Sequence, residues 1–227
     1  MSNRAAAQKD EVALALTRRA RDAIELGGGE PAATRAAADA ARRLAARAGA
    51  EGLADVSYAA VDSPFGELLL AATTHGLVRL AFPEEGTDEV LDELARRISP
   101  RIIAAAASLD AARRELDDYF CARRRSFDLP LDWSLIGPFG RRVLGATSQI
   151  PYGEVLSYTE VAGQAGSPRG SRAAGNALGS NPIPIVIPCH RVLRAGGALG
   201  GYAGGLERKR WLLELEGALT PSLQGAP

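Results

Sequence analysis

From Leu53 onward, hydrophobic and polar residues alternate in short runs. Ser57 to Val61, Glu67 to Thr73 and Gly76 to Phe82 are separated by the turn formers Asp62-Ser63-Pro64 and Thr74-His75-Gly76. A two-residue period with such punctuation predicts a β-meander. The period then lengthens: Thr87 to Ile98 and Ser108 to Phe120 repeat apolar residues every three or four positions, which predicts two amphipathic helices, and Arg123 to Leu131 returns to an extended stretch. Residues 53–133 thus read as a small α+β domain.

Beyond Trp133 the pattern is mainly helical, with helices predicted over Phe139 to Gln149, Ser157 to Ala165, Ser171 to Leu178 and Glu207 to Glu216. In the last of these, Leu206, Trp211, Leu212 and Leu215 predict a face docked on a core, and Glu216 ends it facing either inward or to solvent. A Gly/Pro-rich segment, Asn181 to Gly205, carries the strand-like apolar run Ile185-Val186-Ile187. The helix, short turn, helix layout over 157–178 is that of a helix-turn-helix, a shape that most helical hairpins share without binding anything. Its second helix, Arg172-Ala173-Ala174-Gly175-Asn176, offers small residues and one cation. That composition suits approach to a phosphate backbone or minor groove more than base reading in the major groove.

Residues 1–52 are rich in Ala and Arg, interrupted by Gly27-Gly28-Gly29, and predict a helical extension with little to bury, peripheral or mobile; residues 218–227 read as a tail. With 46% hydrophobic and 24% charged residues, the chain has the apolar surface for a core. No apolar run approaches the roughly 20 residues of a membrane-spanning helix, and the first residues lack a secretory pattern, so a cytoplasmic protein without membrane contact is expected. Net charge is zero, but residues 1–133 carry −4 and residues 134–227 carry +4. A local basic surface of that kind can hold a phosphate backbone whatever the total.

Two cysteines, Cys121 and Cys189, and two histidines, His75 and His190, exclude a disulfide framework and make a four-ligand zinc site improbable. No metal and no cofactor are expected, and Cys121 reads as a half-buried helix residue without a role. Cys189-His190 follows the apolar run and Pro188. Such a pair is usually packing alone. Here Pro182, Pro184 and Pro188 on one side, and Gly200-Gly201-Tyr202-Ala203-Gly204-Gly205 on the other, look like the walls of a pocket. A thiol reacts as thiolate and needs a base, and the base an orienting group. Cys189, His190 and Glu216 are the residue types for these three parts, although sequence alone leaves Glu216 equally readable as a solvated helix end.

Ile187-Pro188-Cys189-His190-Arg191-Val192 resembles the signature of the O6-alkylguanine-DNA alkyltransferases, the methylated-DNA–protein-cysteine methyltransferases. Tyr152-Gly153-Glu154-Val155-Leu156-Ser157-Tyr158, Ser171-Arg172-Ala173, Asn181-Pro182, Tyr202-Ala203-Gly204-Gly205-Leu206 and Trp211 to Glu216 fall in the same family's order. The likeness is densest over 134–217, extends over 55–133 and does not reach residues before 53. It implies an α+β fold: a small N-terminal ribonuclease H-like α/β domain over 53–133, then a mainly helical, winged helix-turn-helix-like DNA-binding and alkyl-acceptor domain over 134–217.

It also implies roles. Cys189 would take the alkyl group of O6-alkylguanine in an irreversible, single-turnover direct-reversal repair of DNA, with O4-alkylthymine as an open second substrate. His190 would take the thiol proton through a water, Glu216 would orient His190, and Asn181 would hold the turn carrying Cys189. Tyr158 would donate to N3 of the leaving guanine and crowd its phosphate. Arg172, with Gly170, Ser171 and Ala173 around it, would contact the minor groove of double-stranded DNA independently of sequence and fill the space of a flipped-out base. Pro184, Val192, Tyr202, Ala203 and Gly204 would line the base pocket, with the Val192 and Cys189 carbonyls toward the guanine amino group. A monomer, cooperative on DNA or not, is expected.

The sequence departs from the family pattern at Gly140 and Leu144, where relatives often carry a Gln and an aromatic, and at Ala203, where some have Ser. Two other functions stay open on the residues alone. One is a binding module that flips the lesion without accepting the alkyl group, against which Cys189 argues. The other is a Cys-His hydrolase unrelated to DNA.

Overall fold

The computed structural model describes Ala40 and residues 52–220. The predicted extension over 1–52, apart from Ala40 and Gly52, and residues 221–227 of the predicted tail lie outside the described residues. The chain divides into two compact units. One holds the described residues up to Asp62 with Gly66–Arg113 and Leu129–Asp132; the other holds Ser63–Phe65, Arg114–Asp128 and Trp133 onward.

In the first unit, β1 (Val56–Val61), β2 (Leu68–Thr73) and β3 (Gly76–Ala81) form the predicted meander, and β4 (Ile102–Ala104) joins it in the order β3-β2-β1-β4. The meander pairs are antiparallel, whereas β4 runs parallel to β1. The turn into β3 depends on Gly76: its φ is +128°, and a Cβ there would strike the Pro130 carbonyl. α1 (Thr87–Arg97) buries Val90 and Leu94, four residues apart, as an amphipathic helix must. α2 (Asp110–Phe120), entered through a 3-10 turn over Ala106–Leu109, runs across the boundary between the units. The extended stretch predicted over 123–131 forms no named strand; it contributes an isolated bridge from Leu131 to Leu77.

The second unit contains α3 (Pro138–Ser148), α4 (Tyr158–Gln164), α5 (Ser171–Gly179) and α6 (Leu206–Leu215), with the short strands β5 (Leu156–Ser157) and β6 (Val192–Leu193) paired in parallel. α4 begins where Ser157 and Glu160 close a reciprocal capping box. Leu144 is a core residue of α3, so its departure from the family pattern is a packing feature.

Besides Cys121, expected half-buried in a helix but exposed just past the end of α2, two predictions need correction. Ile185-Val186-Ile187 is not a strand: Val186 N donates to Pro184 O and Ile187 N to Ile183 O, and Ile185 sits at φ +72°. Positive φ costs a β-branched residue of order 1–3 kcal/mol. Complete burial of Ile183, Ile185 and Ile187 offsets that strain. Apolar content signalled burial correctly but not backbone geometry. The second correction concerns α6, whose Leu206 is exposed; the buried stripe is Lys209, Leu212, Leu213 and Glu216 at helical spacing, so its two ends are charged.

Candidate active site

The strained turn after Asn181 delivers Cys189 to the first position of a 3-10 turn, Cys189–Arg191. Asn181 fixes this geometry from three sides. Its Nδ2 donates to Ile187 O at 2.9 Å and lies 3.2 Å from Cys189 Sγ, while its Oδ1 accepts from Ile183 N at 3.0 Å. Cys189 is 4% exposed. Burial pushes its thiol up to about 11, against the pull of the Asn181 hydrogen bond and the Lys209 cation. A thiol so placed needs a proton acceptor before it can act as a nucleophile.

The next residue in the chain carries an imidazole. His190 is wholly buried, with Nε2 3.0 Å from Glu216 Oε1. A carboxylate only accepts, so Nε2 carries the hydrogen and Nδ1 the lone pair. Nδ1 has no hydrogen-bond partner among the described residues. Burial lowers the imidazole's pKa, which keeps the ring neutral near pH 7. Glu216 caps the C-terminal end of α6 and faces inward. Burial alone would raise its pKa, but hydrogen bonds from His190 and Arg191 outweigh that and hold it at about 2.

Three residues of this centre received no role from the sequence. Arg191 donates from Nε to Glu216 Oε2 and from Nη2 to Oε1, both at 2.8 Å, and from Nη1 to Ile150 O at 2.5 Å. Tyr119, from α2, donates to Glu216 Oε1 at 2.6 Å. Lys209 donates from Nζ to Val192 O at 2.6 Å and lies 6.0 Å from the centre of the Tyr158 ring. Lys209 and Glu216 were detectable as charged residues on a helix stripe that otherwise buries leucines, seven positions apart. Tyr119 carried no such signal.

Tyr158 opens α4, and its hydroxyl donates to Gly201 O at 3.3 Å. Burial first, and Cys189 second, raise its pKa, so it remains a donor. A Cβ on Gly200 would overlap the Tyr158 hydroxyl. Tyr202 meets His190 edge to face at 6.4 Å between ring centres, Ala203 is exposed and Gly204 buried. Pro184 is buried inside the strained turn, where its carbonyl accepts from Val186 N. The Val192 carbonyl, expected to face a guanine amino group, is engaged by Lys209 and keeps one lone pair. Hydrogen bonds thus pair Cys189 with Asn181, His190 with Glu216 and Val192 with Lys209, which lies near the Tyr158 ring, and the 3-10 turn makes Cys189 and His190 chain neighbours. Arg172 and Ala173 are exposed at the start of α5, with Gly170 and Ser171 half-buried beside them. Gly170 donates from N to Ser167 O and accepts from Ala174 N, both within the helix-turn-helix.

Residues 138–218 match the family model described as the DNA binding domain of 6-O-methylguanine DNA methyltransferase, and residues 56–133 match the ribonuclease-like domain of the same enzyme. A methylated-DNA–protein-cysteine methyltransferase of Mycolicibacterium paratuberculosis is 42% identical over 168 residues, 74% of this chain and 96% of that protein. The chain belongs to the 6-O-methylguanine DNA methyltransferase family.

Solved structures of this methyltransferase family agree. Mycobacterium tuberculosis O6-methylguanine methyltransferase superposes with a TM-score of 0.62 at 40% identity, covering 74% of this chain and 96% of that one. The Mycobacterium tuberculosis protein in complex with DNA gives 0.61 at 40% identity, over 71% and 93%. The α+β class expected for a methyltransferase of this family, a ribonuclease-like domain followed by a DNA-binding domain, is the class observed. Among the described residues no helix is long and apolar enough to cross a membrane, and no cluster of three His, Cys, Asp or Glu side chains could hold a metal ion.

Proposed function

We propose that this methyltransferase repairs O6-alkylguanine in double-stranded DNA by moving the alkyl group onto Cys189, once per molecule. The observation that carries the reading is a buried turn that sets Cys189, held by Asn181, next in the chain to His190, held by Glu216, in a protein of this family. His190 Nδ1 takes the thiol proton through a bridging water, and the Asn181 amide and Lys209 cation stabilise the thiolate. Sulfur attacks the alkyl carbon; the S–C bond forms as the C–O6 bond breaks, and its electron pair passes to guanine. Tyr158 donates to N3 of that leaving base. The thioether has no hydrolytic exit, so turnover stops at one.

The target must leave the duplex, because a stacked base cannot meet a buried sulfur. In this reading α5 lies along the minor groove, Arg172 fills the vacated stack, and Gly170, Ser171 and Ala173 allow close, sequence-independent approach. Pro184, Val192, Tyr202, Ala203 and Gly204 shape the base pocket, and O4-alkylthymine is a second substrate of the same pocket. Residues 53–133 form the N-terminal domain and residues 134–217 carry DNA binding and alkyl acceptance, in keeping with family models that meet between 133 and 138. The protein acts as a cytoplasmic monomer.

Peptide mapping by mass spectrometry after equimolar incubation with an O6-methylguanine oligonucleotide tests this. One methyl group on the Cys189 peptide, lost in Cys189→Ser, supports the proposal. Lesion binding without methylation would instead make the chain a recognition module.

A further inference from the structure

Glu216 accepts more hydrogen bonds than a partner for His190 alone requires. Oε1 receives Tyr119 Oη at 2.6 Å, Arg191 Nη2 at 2.8 Å and His190 Nε2 at 3.0 Å, while Oε2 receives Arg191 Nε at 2.8 Å and the Gly153 N–H at 3.4 Å. A carboxylate has about four lone-pair sites, so little acceptor capacity remains. We propose that Tyr119 and Arg191 are positioning residues of the alkyl transfer: by occupying Glu216 they hold it as a shared, permanent anion and keep His190 at rest as the neutral Nε2–H tautomer, its Nδ1 lone pair free for the Cys189 proton. The proposal rests on the reading of His190 as the base.

The physical reason is competition for one negative charge. Glu216 by itself draws His190 toward the protonated form, which cannot accept the thiol proton, and Arg191 opposes that pull. The Arg191 guanidinium neutralises the same carboxylate in bidentate fashion. Tyr119, whose hydroxyl burial pushes far above its usual range with Glu216 adding to the effect, can act only as a donor. Other charged or titratable groups face His190 from each neighbouring element. They are Cys189 on its own turn, Lys209 on α6 and Tyr202 in the glycine-rich loop, while Tyr152 lies against the Arg191 guanidinium, 5.9 Å from its ring centre. None of these is placed to donate to Glu216 as Tyr119 and Arg191 do.

The chain has two histidines, and His75 is exposed, so 15N-histidine NMR of the full-length protein reads His190 against an internal reference. In the unmodified protein His190 should hold the Nε2–H form from pH 6 to 8. Tyr119→Phe removes one donor, makes Glu216 a better acceptor for His190, and should raise the His190 titration midpoint by about one pH unit. The acid limb of the single-turnover rate profile should move with it. Arg191→Lys, which keeps the cation but loses the fork, should shift both in the same direction. Unchanged midpoints in folded Tyr119→Phe and Arg191→Lys would overturn the proposal. Shifted midpoints with an unmoved rate profile would uphold the positioning and overturn the reading of His190 as base.

Discussion

His190 Nε2 and Glu216 Oε1 stand 3.0 Å apart with both side chains shut off from solvent, joining a 3-10 turn to the end of α6. Burial of a carboxylate is tolerable because His190, Arg191, Tyr119 and the Gly153 N–H donate to it, so this junction is as much a part of the fold as of the chemistry.

Acid sensitivity follows from it. The Glu216 pKa falls from 4.5 to about 2 on folding. Its ionisation therefore adds stability that is fully present above about pH 4.5 and is lost as pH falls toward 2, roughly 3 kcal/mol in all. Urea unfolding between pH 7 and 3 should show this loss. Glu216→Gln should be less stable at pH 7, because it leaves the Arg191 cation buried without its partner, and should lack that acid component.

The Lys209 cation lowers the Cys189 pKa, and Lys209→Met removes it. Thiol alkylation by a small reagent, followed across pH, should show the Cys189 midpoint displaced upward, with methyl transfer at pH 7 slowed roughly tenfold for each unit of that shift. An unchanged midpoint would mean that the cation serves only the Val192 carbonyl.

Gly200→Ala should displace the Tyr158 hydroxyl, since the new Cβ would occupy its place. Methyl transfer should slow several-fold while the melting temperature changes by only a few degrees. A parallel loss of rate and stability would show that the loop, and not Tyr158, had been disturbed.

Much of this was legible in the chain. The meander and the helices followed from period and punctuation, because each element buries one face. The Cys189 turn did not, because Ile185 adopts a left-handed conformation that no propensity favours and that burial of its neighbours enforces. β4 is three residues long and pairs with a strand some 40 positions earlier, a contact no local pattern encodes. Cys189, His190 and Glu216 were candidates by residue type alone, and it was the resemblance to the family, not their spacing, that selected the inward reading of Glu216. Lys209 left a trace as a charge on a leucine stripe, but Arg191 and Tyr119 were silent, because isolated charges and aromatics usually face solvent or fill cores and only packing shows where they converge.

Arg172 is exposed at the start of α5, where it makes no demand on the fold. Arg172→Ala should leave stability unchanged, slow repair of a methylated duplex at least tenfold, and leave the reaction with free O6-alkylguanine base nearly unaltered. Equal slowing of both substrates would remove Arg172 from the account of base flipping. Binding to DNA should weaken as salt rises, through counterion release from the phosphates.

The claim that Cys189 captures one alkyl group and keeps it is tested most directly by titrating a fixed amount of O6-methylguanine duplex with protein and counting lesions removed. The account predicts a straight line that stops at one lesion per molecule, with no further repair however long the incubation, and none with Cys189→Ser. Repair continuing past one lesion per molecule, or persisting without the Cys189 sulfur, would contradict it.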